Sequence, residues 1–122
     1  MTRPRVFLID DEAFMRLTLG AVLRAAGYAV EAFEHPAALL TRLSARDEGC
    51  VVLDLQMPDM NGLELQRALA ARGIALPLLF VSGSSDAAAA LTAMKQGALA
   101  FLSKPVDPKA LLAAVARALG VK

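Results

Sequence analysis

The sequence alternates short apolar runs with longer segments in which apolar residues recur every three or four positions. The runs are too short for buried helices, and most contain β-branched residues, so they predict strands buried on both faces of a sheet. A weaker alternation over residues 28–33 predicts one more strand. The four continuous runs are residues 5–9, 50–54, 78–81 and 99–103.

The segments between the runs have helical spacing, and their ends carry residues typical of helix termini. Pro36 stands where a missing N–H costs nothing, and Asp86 is a good N-cap. Gly27, Gly73 and Gly97 are stop signals. The predicted helices cover about residues 15–26, 37–45, 63–72, 87–96 and 108–119.

Strands that alternate with helices predict an α/β fold, a doubly wound parallel sheet covered on both faces. A length of 122 residues predicts one domain, residues 1–122. The chain is 57% hydrophobic and 20% charged with a net charge of +1, which argues against disorder and against a generally basic nucleic-acid binder. No signal peptide or membrane span is predicted. The single cysteine excludes an internal disulfide and a thiolate zinc cage, and it fits a cytoplasmic protein.

Four of the five predicted strands end in a polar or charged residue. Strand one leads into Asp10 and Asp11, strand three into Asp54, strand four into Ser82 and strand five into Lys104. In an open α/β sheet these ends meet at one edge, where ligands bind. Three converging carboxylates favour Mg²⁺ or Mn²⁺. A lysine and a hydroxyl opposite the metal suit a phosphoryl group, which a carboxylate can accept as an acyl phosphate.

Each of these residues also has an ordinary structural interpretation. Asp10 and Asp11 could cap the first helix, and Lys104 could be an exposed charge before a proline. Because they share the strand-end position with Asp54, a common ligand-binding site is the favoured interpretation. Glu12 is expected to cap the first helix, with a water-mediated metal contact as the alternative. Cys50 is expected to be a small buried hydrophobe.

At these residues the chain resembles the receiver domain of two-component response regulators. The resemblance covers the whole chain, and four motifs in order make it specific. They are Asp10-Asp11, Asp54 followed by Met57-Pro58-Asp59-Met60-Asn61-Gly62, Ser82-Gly83, and Lys104-Pro105. The resemblance implies a flavodoxin-like (βα)5 fold with strand order 2-1-3-4-5, and a lysine–proline peptide that is often cis.

The resemblance also implies a role for each site residue. Asp54 would be the phosphoacceptor and would ligate Mg²⁺ with Asp11 and the backbone carbonyl of Gln56, whereas Asp10 would act through a water. Lys104 would contact the phosphoryl group. The remaining roles are the switch residues Ser82 and Phe101, and the residues Gln56 and Ser84 that tune hydrolysis.

The implied function is phosphorylation-dependent signalling, not turnover of an external substrate. The partner would be a sensor histidine kinase or a histidine phosphotransfer protein. The output surface, also a homodimer contact, would be helix four and strand five, with helix five in many members. The chain could be a free-standing receiver, a phosphorelay intermediate or the N-terminal part of a transcriptional regulator, and this domain itself would bind neither nucleic acid nor membrane.

Two other functions compete with signalling. A small Mg²⁺-dependent phosphohydrolase with an aspartate nucleophile would need a second acid two residues after Asp54, where Gln56 stands, and a cap domain. A receiver that no longer signals by phosphate is disfavoured by the complete set of site residues.

Alanine is abundant, with 25 residues in the chain, and its densest run lies within residues 87–94. Alanine is the best helix former, so an exposed alanine face is one interpretation. A helix that is apolar on nearly all sides is otherwise covered by a partner, and this is the second interpretation.

Overall fold

The computed structural model describes residues 3–83 and 87–120. Strands and helices alternate throughout these ranges. The strands are β1 (Arg5–Ile9), β2 (Ala29–Phe33), β3 (Cys50–Asp54), β4 (Leu78–Ser82) and β5 (Ala100–Ser103). The helices are α1 (Ala13–Ala25), α2 (Pro36–Arg42), α3 (Gly62–Ala71), α4 (Ala87–Lys95) and α5 (Pro108–Ala118).

The five strands form one parallel sheet in the order β2-β1-β3-β4-β5, which confirms the predicted fold. The register places Asp54 opposite Val81, and Ser82 opposite Ser103. The residues that follow β1 and β5 emerge at the same edge. The register therefore brings the polar strand ends together.

Alternate residues of each strand supply two separate cores, one on each face of the sheet. One core packs the sheet against α2, α3 and α4, and the other packs it against α1 and α5. The strand residues of the first core include Phe7, Ile9, Leu53 and Phe80, and those of the second include Val6, Leu8, Val52 and Leu79. Because both faces are covered, β3 and β4 are buried along their whole length, as continuous apolar runs predict.

The helices begin and end close to the predicted residues, with one exception. Gly27, Gly73 and Gly97 have positive φ after α1, α3 and α4 and confirm the predicted stops. The prediction for α2 was wrong at its end, because α2 stops at Arg42 and not near residue 45. Asp86, the predicted N-cap of α4, lies outside the described residues.

The early end of α2 has a specific cause. A further turn would pair the Ser44 N–H with the Leu40 carbonyl, but both groups have other partners. The Asp47 carboxylate accepts from the Ser44 N–H at 2.8 Å, and Arg72 Nη1 donates to the Leu40 carbonyl at 3.1 Å. One local contact and one long-range contact therefore replace the hydrogen bond that would continue the helix.

Cys50 is fully buried, as expected. Across the described ranges, no helix has the length and apolar content needed to cross a membrane.

Candidate functional site

Three carboxylates converge at the carboxyl edge of the sheet. Asp10 and Asp11 directly follow β1, and Asp54 ends β3. One carboxylate oxygen from each residue lies within 4.8 Å of the other two. Asp10 and Asp54 are only 2% and 6% exposed. Packing of the sheet thus holds negative charges close together in a poorly solvated place, which is unfavourable unless a cation is near.

Lys104 supplies a cation directly after β5. Its Nζ lies 3.1 Å from Asp54 Oδ2, 3.2 Å from Asp10 Oδ2 and 3.5 Å from Glu12 Oε1. The Lys104 backbone N–H donates to the Ser82 carbonyl at 2.8 Å, and the Lys104–Pro105 peptide is cis. The ammonium group therefore bridges the ends of β1 and β3.

Burial and charge change the ionisation of the two central groups. Burial raises the pKa of the Asp54 carboxyl, and the nearby charge of Asp10 adds to this, while the Gln56 N–H and Lys104 oppose it only in part. Burial lowers the pKa of Lys104, but its hydrogen bonds and attraction to Asp54 and Asp10 more than compensate and raise that pKa above its usual value. Lys104 is therefore firmly protonated.

The acid residues at both strand ends share a local turn. Asp10 Oδ1 accepts from the Glu12 N–H at 2.9 Å, and Asp54 Oδ1 accepts from the Gln56 N–H at 3.1 Å. Asp10 thus belongs to the acid cluster and also holds the chain at the start of α1. The structure places Asp10 in the acid cluster but does not confirm that it caps α1, because Glu12 holds the N-cap position and the N–H that Asp10 accepts from belongs to Glu12, before the first helical residue.

The expectation that the Glu12 side chain caps α1 is wrong. Glu12 occupies the N-cap position, but its side chain makes no capping hydrogen bond. The longer side chain of glutamate extends instead to the Lys104 ammonium. Glu12 is therefore a third, more exposed anion facing Lys104.

Arg16 is a neighbour of the site that the sequence interpretation missed. Its Nη1 donates to the Asp10 carbonyl at 2.7 Å, and its backbone N–H donates to the Glu12 carbonyl at 3.0 Å. The signal was available, because Arg16 lies one helical turn after Glu12 and so returns to the strand end.

The loop after Asp54 folds back tightly on the site. The Gly62 N–H donates to the Leu55 carbonyl at 2.7 Å. A Cβ at Gly62 would lie 2.6 Å from the Asp54 carbonyl oxygen and 2.8 Å from Phe80 Cε2, so only glycine fits there. Asn61 and Glu64 then begin α3 with a reciprocal capping box. The start of α3 thus supports the backbone that carries Asp54.

The predicted switch residues lie on the two strands beyond β3. Ser82 is 1% exposed at the end of β4. The partly buried ring of Phe101, on β5, stacks on Phe80 with 5.9 Å between ring centroids and 14° between their planes. Gln56 is exposed beside the site, and Ser84 lies outside the described residues.

Comparison with known proteins decides the family. The family model for the response regulator receiver domain matches residues 6–116. The chain belongs to this receiver family.

Relatives of this receiver domain are longer proteins. It is 37% identical over 118 residues to the transcriptional regulatory protein FixJ of Bradyrhizobium diazoefficiens, covering 97% of this chain and 58% of FixJ. It is 41% identical over 116 residues to the transcriptional regulatory protein TdiR of Thauera aromatica, covering 95% of this chain and 51% of TdiR. The chain therefore spans somewhat more than half the length of these relatives.

Solved structures agree with this assignment. The crystal structure of FixJ-N superposes with a TM-score of 0.90 at 35% identity, covering 98% of this chain and 96% of that chain. The response regulator StyR superposes with a TM-score of 0.91 at 39% identity, covering 98% of this chain and 60% of that chain.

The receiver's acid cluster is chemically suited to Mg²⁺. Asp10, Asp11 and Asp54 offer only oxygen atoms, which are the ligands that this small hard cation prefers. The described residues add no thiol or imidazole to the cluster. Lys104 neutralises one of its charges, so a divalent cation would complete the balance.

Proposed function

We propose that this receiver, residues 1–122, accepts a phosphoryl group on Asp54 from a phosphohistidine of a sensor histidine kinase or a histidine phosphotransfer protein. The observation that carries this proposal is the Lys104 ammonium, held 3.1 Å from Asp54 Oδ2 and 3.2 Å from Asp10 Oδ2 at the carboxyl edge of a receiver-family sheet. Mutual repulsion alone would separate the carboxylates. A phosphoryl-binding role explains why they lie close together and beside a lysine.

The transfer is a nucleophilic displacement at phosphorus. A carboxylate oxygen of Asp54 forms the new O–P bond while the N–P bond of phosphohistidine breaks. The electron pair of that bond returns to the imidazole nitrogen, which then takes a proton from water. Lys104 is protonated throughout and moves from the Asp54 carboxylate to a phosphoryl oxygen. Lys104 thereby stabilises the product that Asp54 alone would hold poorly.

Residues of this chain are also suited to hold the metal. Asp11, Asp54 and the Gln56 carbonyl would ligate Mg²⁺, or Mn²⁺, directly, and Asp10 would act through a water. When bound, the metal neutralises phosphoryl oxygens during transfer. The oxygen-only donor set supports this assignment.

Phosphorylation would then be transmitted through Ser82 and Phe101. A new anionic group on Asp54 attracts the Ser82 hydroxyl, which lies one residue beyond the partner of Asp54 in the sheet register. Movement of Ser82 changes the space beside Phe101, whose ring is only partly buried on Phe80. Gln56 and Ser84 would influence how water reaches the acyl phosphate.

The output surface is assigned to α4 and β5, with α5 beside them. Leu91 and Met94 are 56% and 44% exposed, and their spacing places them on the same face of α4. Exposed apolar side chains on an alanine-rich helix favour the interaction interpretation of this segment over a bare alanine face. Self-association through α4 and β5, or contact with an output domain, would cover them.

The likeness to longer transcriptional regulators supports one biological setting. We assign the chain to the receiver part of a bacterial cytoplasmic regulator, with nucleic-acid binding left to a separate output domain. The phosphohydrolase alternative is not favoured, because Gln56 replaces the second acid that such an enzyme requires. Any hydrolysis would be loss of the receiver's own phosphoryl group.

Phosphoryl labelling tests the proposal. Acetyl phosphate with Mg²⁺ should label the wild-type chain stoichiometrically, and Asp54→Ala should abolish the label. Asp59→Ala is the matched control, because Asp59 is 79% exposed in the neighbouring loop and should leave labelling intact. Full labelling of Asp54→Ala would contradict the assignment, as would multiple turnover of an added phosphoester by the wild type.

A further inference from the structure

A buried glutamine joins α3 to α4. Gln66, on α3, is 4% exposed, and its Nε2 donates to the Ala93 carbonyl at 3.0 Å. The two residues are 27 positions apart along the chain. The bond therefore fixes the position of one helix relative to the other, which local helical geometry alone cannot do.

The carbonyl that Gln66 contacts belongs to the end of α4. Ala93 lies in the last turn of this helix, and its carbonyl also accepts from the Ala98 N–H at 3.0 Å. Gly97, between them, has a φ of 103°, and its N–H donates to the Met94 carbonyl at 3.1 Å. This is a helix end closed by a glycine in the left-handed conformation. Gln66 therefore bonds to the glycine-closed C-terminal turn of α4.

The Gln66 side chain is poorly satisfied for a buried amide. Its Oε1 is buried and has no hydrogen-bond partner among the residues that the structure describes. An unpaired buried acceptor costs about as much as a single hydrogen bond contributes, or more. An apolar side chain of the same size would therefore stabilise the core at least as well. What Gln66 adds is the direction of one hydrogen bond.

Along the chain, the opposite end of α4 comes shortly after the site. Ser82 and Gly83 precede this helix closely along the chain, and a Cβ at Gly83 would lie 3.9 Å from Lys104 Cδ. The N-terminal end of α4 thus comes shortly after Ser82 and Gly83 in the chain, and its C-terminal end is hydrogen-bonded to α3.

From this asymmetry we infer that Gln66 is a positioning residue that makes Ala93 the fixed point of α4. A displacement that starts at Ser82 then rotates α4 about its C-terminal turn and moves its first turns most. Without the Gln66 bond, the same displacement would slide the whole helix. The inference rests on the proposed function, because the displacement is the one that phosphorylation of Asp54 would cause.

The first test needs no phosphoryl group. Gln66→Met keeps the length of the side chain and removes the hydrogen bond, and Arg67→Met makes the same residue at an exposed position of α3. In Gln66→Met, the free energy of unfolding in urea should equal or exceed that of the wild type, while amide exchange at Ala98 should become about tenfold faster. Arg67→Met should change neither quantity.

The second test follows the response of α4. Beryllofluoride with Mg²⁺ is added to the wild type and both variants, and backbone amide chemical shifts are recorded along residues 87–98. In the wild type and Arg67→Met, shift changes should decrease from residues 87–90 toward residues 93–98. In Gln66→Met, the two segments should change to a similar extent.

The results separate the two ideas. If beryllofluoride causes no chemical-shift change near Asp54 in the wild type, the proposed function is contradicted. Amide exchange at Ala98 would still test the hydrogen bond between Gln66 and α4. Unchanged Ala98 exchange in Gln66→Met overturns the inference, and so does a shift profile like that of the wild type. A loss of stability with exchange accelerated evenly along the chain would show an ordinary core residue and also overturn it.

Discussion

At the scale of single residues, Asp10 and Asp54 are oriented in the same way. Each uses Oδ1 to accept a backbone N–H two residues further along the chain, and each presents Oδ2 to Lys104. The turns and the ammonium therefore fix both carboxylates before any ligand arrives. Such preorganisation would lower the cost of reorienting charges in the phosphoryl transfer that we propose for this site.

Replacing the Asp54 carboxylate by an amide should stabilise the fold. Burial raises the pKa of Asp54, so the folded chain holds that proton more tightly than the unfolded chain does, and stability falls as pH rises through this pKa. Asp54→Asn avoids that loss. In metal-free buffer at pH 7 its free energy of unfolding should exceed that of the wild type.

Urea unfolding at several pH values measures this difference. The advantage of Asp54→Asn should shrink as the pH falls, because wild-type Asp54 then becomes protonated. Asp59→Asn, in the exposed loop, should follow the wild type at every pH. An Asp54→Asn variant that is less stable than the wild type at pH 7 would show that Lys104 outweighs the cost of burial.

The Cys50 thiol should be inert in the folded chain. Cys50 is 0% exposed, and burial raises the pKa of its thiol to about 12. Thiolate is the reactive form, so both access and ionisation are suppressed. Ellman's reagent at pH 8 should react with the native chain at least a hundredfold more slowly than with the chain unfolded in guanidinium. Rapid stoichiometric reaction of the native chain would contradict the burial of this residue.

At the scale of elements, the sequence predicted best what local chemistry controls. The ends of α1, α3 and α4 follow from glycines at positive φ, and α5 begins at the Asp107–Pro108 signal. The predicted end of α2 was wrong because the Ser44 N–H bonds to Asp47 and the Leu40 carbonyl accepts from Arg72, 32 residues away. The spacing of apolar residues along the chain cannot predict the long-range contact.

The candidate site shows the same division. The register of a parallel sheet brought the predicted acids and Lys104 together, and that convergence follows from topology alone. The contacts of Glu12 with Lys104 and of Gln66 with Ala93 join distant segments of the chain, so they depend on packing. Sequence spacing identified which residues meet at the strand ends but not which partners their neighbours choose.

A methyl group at the start of α3 should disturb both stability and the site. In Gly62→Ala the new Cβ would overlap the Asp54 carbonyl oxygen and Phe80, so the start of α3 must move. We expect a loss of about 3 kcal/mol in the free energy of unfolding, at the upper end of overpacking costs. Phosphoryl labelling of Asp54 should also weaken, since the same backbone carries its side chain.

Gly83→Ala provides the comparison for this change. A Cβ there would only touch Lys104 Cδ at 3.9 Å, an ordinary contact, so stability should stay within about 0.5 kcal/mol of the wild type. Urea unfolding of both variants gives the measurement. Equal stability of Gly62→Ala and Gly83→Ala would mean that the loop after Asp54 yields easily and does not support the site.

At the scale of the whole molecule, one sheet separates two cores and ends in one charged edge. The cores need the strands buried on both faces, and this places the apolar residues of β1, β3 and β4 in the interior and Asp10, Asp11 and Asp54 at the ends of β1 and β3. The site is therefore built by the same packing that holds the domain together. Binding at that edge should be coupled to global stability, because the unfolded chain has no such cluster.

Magnesium should accordingly stabilise the entire domain. A ligand that binds only the folded state adds about 2.7 kcal/mol to the free energy of unfolding at 100 times its dissociation constant. Asp11→Asn removes one of the three clustered carboxylates and should abolish most of this gain, whereas Asp59→Asn should retain it. Urea unfolding of each variant with Mg²⁺ measures the gain in stability. Excess EDTA should reverse that gain. Equal stabilisation of Asp11→Asn and the wild type would place the binding of Mg²⁺ outside the acid cluster.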